Sequence, residues 1–484
     1  MSRFVTIWII PLAAGLITAG SAPAREPYFR MPVDQDAVST SPVKSNLTAY
    51  FDDEAADEAA EESEAEPVDE VRQPDCHCEE PVCGDTAACA SQKSCACEPS
   101  CGCENGCCNG CYCDSGWGCL GDCCLGEAWT LQGWLQPCCD KTYTYAGWIS
   151  AGYYNHNERL SREPADELSF NDFPHEFGFD QVWFYTEKVA DADACSADWG
   201  YRFDVMYGRQ GHAAQAYGND GGTWDVTFDH GHYEWALPQL YAEVGYGDWS
   251  LKLGKWFTPV GYEVIPATGN FFYSHTLTHW NSEPFSHTGV LGTYKGYDDA
   301  TLYAGWALGW DTGFDQFDGG NIFVGGLTYT GIEDVSLTYL TTVGNFGWKT
   351  EGEFGFSHHF VGTFDLSENC QYVLQHDFLD TEGIPGDDDT DGQDKGITNY
   401  LFYTLNDCWK LGGRIEWWKS DNVIPGEDAS FYNIAGGINY HATANLVIRP
   451  EIRYDWTPSD EAYDDAFDVD YNQEWFGIDA VLTY

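Results

Sequence analysis

Oppositely charged residues recur at even spacings along this chain: Arg202 and Asp204; Lys410, Arg414 and Glu416; Arg449, Glu451 and Arg453. In extended backbone an even spacing places side chains on one face. Together with Glu243, Lys252 and Asp479, such rows of cations and anions would set up a transverse field that sorts ions. The plainer alternative is that they solvate and brace a wall. A second set falls in one long stretch punctuated by Pro and Gly, 257–287: Tyr262, Glu263, Asn270, His275, His279 and Glu283. Folded inward, that stretch would narrow a pore; left outside, it would cover a mouth. His275, His279 and His287 with Glu263 and Glu283 are of metal-ligating type, and Ser274 or Ser286 with a histidine is of hydrolase type. Neither set has the spacing of a known motif, so no metal, cofactor or catalytic residue is assigned.

The elements that would hold these residues are strands. In "WGYRFDVMY", Trp199, Tyr201, Phe203, Val205 and Tyr207 alternate with Gly200, Arg202, Asp204 and Met206. "LVIRPEIRYDW" and "CWKLGGRIEWW" repeat the scheme, and segments of about nine to eleven residues recur, the length that crosses a bilayer at a tilt. A charged residue facing lipid near the midplane costs about 2 to 4 kcal/mol for Arg or Lys, so the charged face belongs inside. Short connections such as Gly247-Asp248, "GIED" and "LND" alternate with long ones such as 209–236 and "TPSDEAYDDAFDVDYNQ". That asymmetry is the mark of an outer-membrane barrel. The predicted fold is all-β: a transmembrane antiparallel up-and-down β-barrel of about sixteen strands (14–18) beginning near Thr144, a size that encloses an aqueous lumen. The last stretch, with Phe476, Ile478, Ala480, Leu482 and Tyr484 on one face, is expected to close it, with Tyr484 in the inner aromatic girdle.

Composition agrees. The chain has 30 Tyr, 27 Phe, 20 Trp and 52 Gly, strand- and turn-formers, and only 3 Met. Lys plus Arg number 22 against 78 Asp plus Glu, a net charge of −56, which repels phosphate backbones and excludes nucleic acid as a partner. Net acidity favours cations, but much of it lies in loops and N-terminal sequence, so ion selectivity stays unassigned.

Ahead of the predicted barrel (141–484) the chain divides into three. Residues 1–24, with Arg3, a short apolar run and Ala22-Pro23-Ala24, read as a secretory signal. Residues 25–75 read as an acidic disordered tether. Residues 76–140 form a cysteine-rich module. An exported chain meets oxidising conditions, which favours disulfides there; metal binding is the rival, but paired zinc-knuckle spacing is absent. Of 20 cysteines, Cys195, Cys370 and Cys408 lie elsewhere, leaving 17, an odd number that cannot pair completely. All three fall at short connections, on the rim where the module would enter, and at least one is expected to bond to it. Otherwise they bridge neighbouring molecules or stay reduced.

"LGKWFTPVGYEVIPATGNFFYSH" (Leu253 to His275) and "PFSHTGVLGTY" (Pro284 to Tyr294) resemble the OmpL-like β-barrel porin-2 family, on Thr258-Pro259, Gly261-Tyr262-Glu263 and Pro266-Ala267. The resemblance covers about 146–484. It implies a porin in the outer membrane of a Gram-negative-type envelope, passing small hydrophilic solutes passively, without catalytic residues. Its partners would be outer-membrane lipid and the barrel-assembly machinery, with a homo-oligomer, a trimer by analogy. The N-terminal module would lie in the periplasm. The rival reading is a structural envelope protein, anchored by the barrel and cross-linked through its cysteines to disulfide-linked partners. A barrel enzyme ranks third.

Overall fold

The computed structural model describes residues 125–135, 143–155, 170–171, 173–190, 197–218, 222–225, 230, 232–385, 387–424, 427–467 and 471–484. The predicted signal, tether and most of the cysteine-rich module, with Cys195, lie outside them.

Sixteen antiparallel strands close into one barrel. They are β1 (Thr144–Asn155), β2 (Gly178–Lys188), β3 (Asp198–Gly208), β4 (Leu240–Tyr246), β5 (Trp249–Phe257), β6 (Ser286–Tyr297), β7 (Ala300–Ala307) and β8 (Asn321–Ile332). There follow β9 (Val335–Asn345), β10 (Phe354–Ser367), β11 (Cys370–Thr381), β12 (Gly392–Asn406), β13 (Trp409–Ile424), β14 (Glu427–Thr443), β15 (Leu446–Trp456) and β16 (Gln473–Thr483). Each pairs with its neighbour in sequence, and β16 returns to β1 in the register Trp148↔Thr483 to Asn155↔Phe476. Closure leaves no sheet edge, the condition for burying a sheet in lipid. Tyr484 extends the seam: its N–H donates to Gly147 O (2.9 Å), Gly147 N–H donates back (3.0 Å), and its phenol donates to Trp183 O across β1 (2.8 Å). A Cβ on Gly147 would lie 2.7 Å from that phenol oxygen, so only glycine leaves the ring its place.

The alternation expected from sequence sets the two faces. Phe476, Ile478 and Leu482 point outward, as do Trp199, Leu253, Trp306, Phe323, Ile415 and Ile452, all exposed. An apolar belt this wide is stable only against acyl chains. On one rim, seven connections include turns as short as Gly247-Asp248, 298–299, 333–334, 368–369, 407–408 and 444–445; the opposite rim carries 156–177, 209–239, 258–285 and 457–472.

The interior has two zones. Toward the short-turn rim the inward positions are polar and reached by water: Glu243, Ser250, Lys252, Lys295, Thr328, Ser336, Asp365, Thr404 and Lys410. Farther up, β6 to β9 contribute a buried apolar cluster, with Leu291, Tyr303, Ile322, Val324 and Leu340 packed on Trp256, Trp310 and Phe346. A lumen wet along its whole wall is therefore not what forms. The connection between β5 and β6 turns inward and fills this upper zone.

Candidate pore constriction

That connection, residues 258–285, is anchored at its neck by Thr258 N–H to Phe285 O (3.1 Å) and by Asp311 Oδ1, which accepts from Phe285 N (2.6 Å) and Ser286 N (2.7 Å). Pro259 and Gly261 make the inward bend. Gly261 sits at φ +87°, and a Cβ there would fall 2.4 Å from Glu283 Oε2. A side chain at this position would be both strained and displaced.

From there the loop crosses the barrel and is bonded to opposite walls, largely through its own backbone. On β11, Gln375 Oε1 accepts from Tyr262 N (3.1 Å). On β2, Gln181 donates to Ile265 O (2.7 Å) and accepts from Ala267 N (2.9 Å). On β15, Arg449 donates to Ala267 O (2.8 Å) and Asn270 O (2.6 Å), while its other nitrogens hold Asp479 of β16 (2.9 and 2.5 Å). Asn270 folds the tip on itself, accepting from Val264 N (2.9 Å). Glu451 accepts from Tyr273 N (2.8 Å) and Ser274 N (3.0 Å), and Arg453 donates to His275 O (2.5 Å). On β13, Glu416 accepts from Leu277 N (3.0 Å) and Thr278 N (2.7 Å) and so caps the one-turn helix Leu277–Ser282. Buried carboxylates facing backbone N–H groups satisfy both partners where water is excluded.

Glu263 and Arg414 are the centre of the clasp. Glu263 Oε1 accepts from Arg414 Nη1 (2.9 Å) and Tyr400 Oη (3.1 Å), and Oε2 accepts from Thr276 N (2.8 Å). Arg414 also donates to Ser274 O and Oγ (both 2.9 Å). Burial opposes ionisation of Glu263, but the Arg414 guanidinium together with the neighbouring His275 and His279 outweighs it and holds the carboxyl well below the usual range. Burial also lowers His275, to about 4, so its imidazole is neutral at neutral pH.

The sequence-selected charges thus separate. Arg414, Glu416, Arg449, Glu451, Arg453 and Asp479 hold the loop. Arg202 and Asp204 form a buried pair on β3 (2.7 Å), with Glu187 also bonded to Arg202 (2.7 Å). Glu243, Lys252 and Lys410 line the wet zone; Glu243 and Lys252 face each other across β4 and β5, with the lysine Nζ 4.8 Å from the Tyr241 ring centre. Sequence reasoning missed Gln181, Gln375 and Asp311, which bind loop backbone. It also missed Asp180, which takes Arg209 (2.6 Å) and the Tyr273 phenol (2.9 Å).

Two groups place metal-type ligand atoms within 4.8 Å of one another: Glu263, His275 and His279; and Glu283, His359 and Asp377. Ser357, His359 and Asp377 also align through bonds of 2.9 and 2.7 Å. Ser357 is wholly buried and also bonded to Thr342 Oγ1 (2.7 Å), which in turn takes Trp310 Nε1 (3.0 Å). This is a hydrogen-bond chain inside the wall, with its serine facing no open space. At the short-turn rim, Cys370 is a free thiol and Cys408 is disulfide-bonded.

A closed barrel with an apolar belt outside, a polar chamber inside and one long loop folded into its bore is a diffusion channel of the porin class. The chain belongs to the family described as "Putative beta-barrel porin-2, OmpL-like", which matches residues 142–484. It is accordingly an outer-membrane porin for passive diffusion, with the family and fold of a channel. No curated protein matches the chain. Similar solved structures include OmpT of Vibrio cholerae in its trimer form, 13% identical over 71% of this chain and 99% of that one, TM-score 0.46. Others are the channel DcaP of Acinetobacter baumannii, 12% identical over 71% and 97%, TM-score 0.47, and Salmonella typhi OmpF in complex with daunomycin, 10% identical over 71% and 97%, TM-score 0.49. The assignment rests on the family match and the strand pattern; these likenesses add nothing to it.

Proposed function

We propose that residues 258–285 are the constriction that sets which small hydrophilic solutes and ions pass, with Glu243, Lys252 and Lys410 lining the chamber on the short-turn side. The observation that carries this is the loop's attachment, inside the barrel, to β2, β11, β13 and β15 by side chains from opposite walls. Reconstitution of the full chain in a planar bilayer is expected to give discrete conductance steps. Replacing Lys252 by Glu is expected to shift the reversal potential in a salt gradient toward cation selectivity. A folded barrel that stays silent would leave only the anchoring role of a structural envelope protein.

In the same reading, the short-turn rim faces the periplasm and the cysteine-rich N-terminal module is fastened beneath it. Support comes from the described part of the module, residues 125–135. Leu125 O accepts from Ala444 N (3.1 Å), and Trp129 exchanges two 2.7 Å bonds with Asn445, both in the β14–β15 turn. One strand away, Cys408 O accepts from His441 N (2.8 Å), so the disulfide-bonded Cys408 sits beside the point where the module's chain arrives. Protease cleavage just before Leu125 is expected to leave residues 76–124 of the module attached on a non-reducing gel, and Cys408→Ser to release them. Release from the unsubstituted protein without reductant would remove this tether.

A further inference from the structure

We propose that Glu263, His275 and His279 form a binding site for one divalent first-row transition-metal ion of the zinc type, seated in the constriction loop. This goes beyond the pore reading, and its readout does not depend on conductance.

The three residues lie close in chain but would be scattered in an unfolded loop; the fold brings one carboxylate oxygen and one nitrogen of each imidazole within 4.8 Å of one another, all three side chains buried. Ligand atoms about 2.1 Å from a tetrahedral zinc are about 3.4 Å apart, so binding asks for movements of about an ångström, not a rearrangement. Two imidazoles and a carboxylate are a donor set suited to Zn, Co, Ni or Fe(II), and too nitrogen-rich for Mg or Ca.

Each ligand is already oriented by another group, as metal ligands are. Arg414 and Tyr400 fix Glu263 through Oε1, and Thr276 N fixes Oε2, which points toward His275. His275 Nδ1 lies 3.3 Å from that oxygen, buried and without a hydrogen bond of its own. Arg453 holds the His275 carbonyl (2.5 Å). His279 sits on the helix turn that begins at Thr276, whose Oγ1 takes its N–H (3.1 Å), and its Nδ1 lies 3.3 Å from Glu283 Oε2. The two imidazoles stack at 4.8 Å and 15°. Phe170, 4.1 Å from the His275 ring, and Phe285, 5.2 Å from His279, form an apolar wall that keeps water from competing. A metal here would tie the strand-proximal half of the loop (Glu263) to its helical half (His279) and so stiffen the constriction.

The test uses the full chain, purified in detergent with its disulfides intact and stripped with chelator, then titrated with Zn²⁺ or Co²⁺ alone. Wild type is expected to bind one equivalent more than His275→Gln/His279→Gln. Because the variant keeps every cysteine, thiolate binding elsewhere cancels in the difference. Bound Co²⁺ is expected to show visible d–d bands without the near-ultraviolet band of thiolate ligation for that extra equivalent. His279→Gln alone is expected to weaken binding by more than about tenfold while the barrel keeps its heat-modifiable migration. Equal stoichiometry in wild type and double variant, or a purely thiolate spectrum in the stripped wild type, overturns the proposal. The wild-type spectrum decides it even where a variant fails to fold.

Discussion

Arg414→Met is expected to detach the constriction loop while the barrel stays closed. The substitution keeps the stem of the side chain but removes three donated bonds, to Glu263 Oε1, Ser274 O and Ser274 Oγ. It leaves a buried carboxylate without its cation. Removing one partner of a buried ion pair costs about 3 to 5 kcal/mol, because the remaining charge has lost its only cheap solution. The loop can escape that cost by leaving the bore, and the sixteen-strand wall, paired all the way round, does not depend on it. The expected readouts are a larger single-channel conductance, new protease cleavage between 258 and 285, and an unchanged strand signal in circular dichroism. Adding Glu263→Gln to Arg414→Met is expected to restore most of the loop's protection, since the unpaired charge is gone. The pH dependence follows from the depressed Glu263 carboxyl. Its stabilising contribution is complete above its ordinary value of 4.5 and is lost only as pH falls through the much lower folded value. The wild-type clasp should therefore hold through mildly acidic pH, with no conductance change from this group. A single variant with wild-type conductance and protease resistance would show that the loop is held by something other than this clasp.

The barrel was legible because a membrane wall enforces period two along most of its strands: an outward charge is costly, so Trp199 to Tyr207 and Leu446 to Trp456 carry the pattern openly. Three things hid the rest. First, the upper interior is apolar along one side of the wall, so in β7 and β8 both Tyr303 and Val324 inward and Trp306 and Phe323 outward are hydrophobic, and alternation gives no sign of which face is wet. Second, a bulge breaks the phase of β2. The β1–β2 register slips between Ser150 and Ala151, so Asp180 and Gln181 both point inward, and period-two counting assigns one of them to lipid. Third, the inward charges could be recognised but not their targets. Glu416, Glu451 and Arg449 bind backbone N–H and C=O groups of the loop, which have no signature in side-chain sequence. The loop was marked by its length and by Pro259, Gly261 and Glu263; that it lies inside follows only once the walls are seen to reach for it.

Gly261→Ala is expected to shift the loop's root, and its effect separates backbone strain from crowding. At φ +87° an L-residue is held where its Cβ approaches the following carbonyl, a cost of about 1–2 kcal/mol. The methyl would also fall 2.4 Å from Glu283 Oε2, inside any real contact, so Glu283 must give up its place beside His279 and Gln375. Both terms act on the same short segment, Thr258 to Tyr262, which aims the loop into the bore. The expected result is a noisier, larger conductance and a lower melting temperature, with the barrel still formed. Adding Glu283→Ala is expected to return only part of the loss, because it relieves the contact and leaves the dihedral. Gly413→Ala on β13 is the matched control: no atom lies within 4 Å of its added Cβ and its φ is not positive, so conductance and stability should stay at wild-type values. Equal effects at positions 261 and 413 would mean that loss of glycine flexibility in general, and not the inward bend at the loop's root, governs the channel.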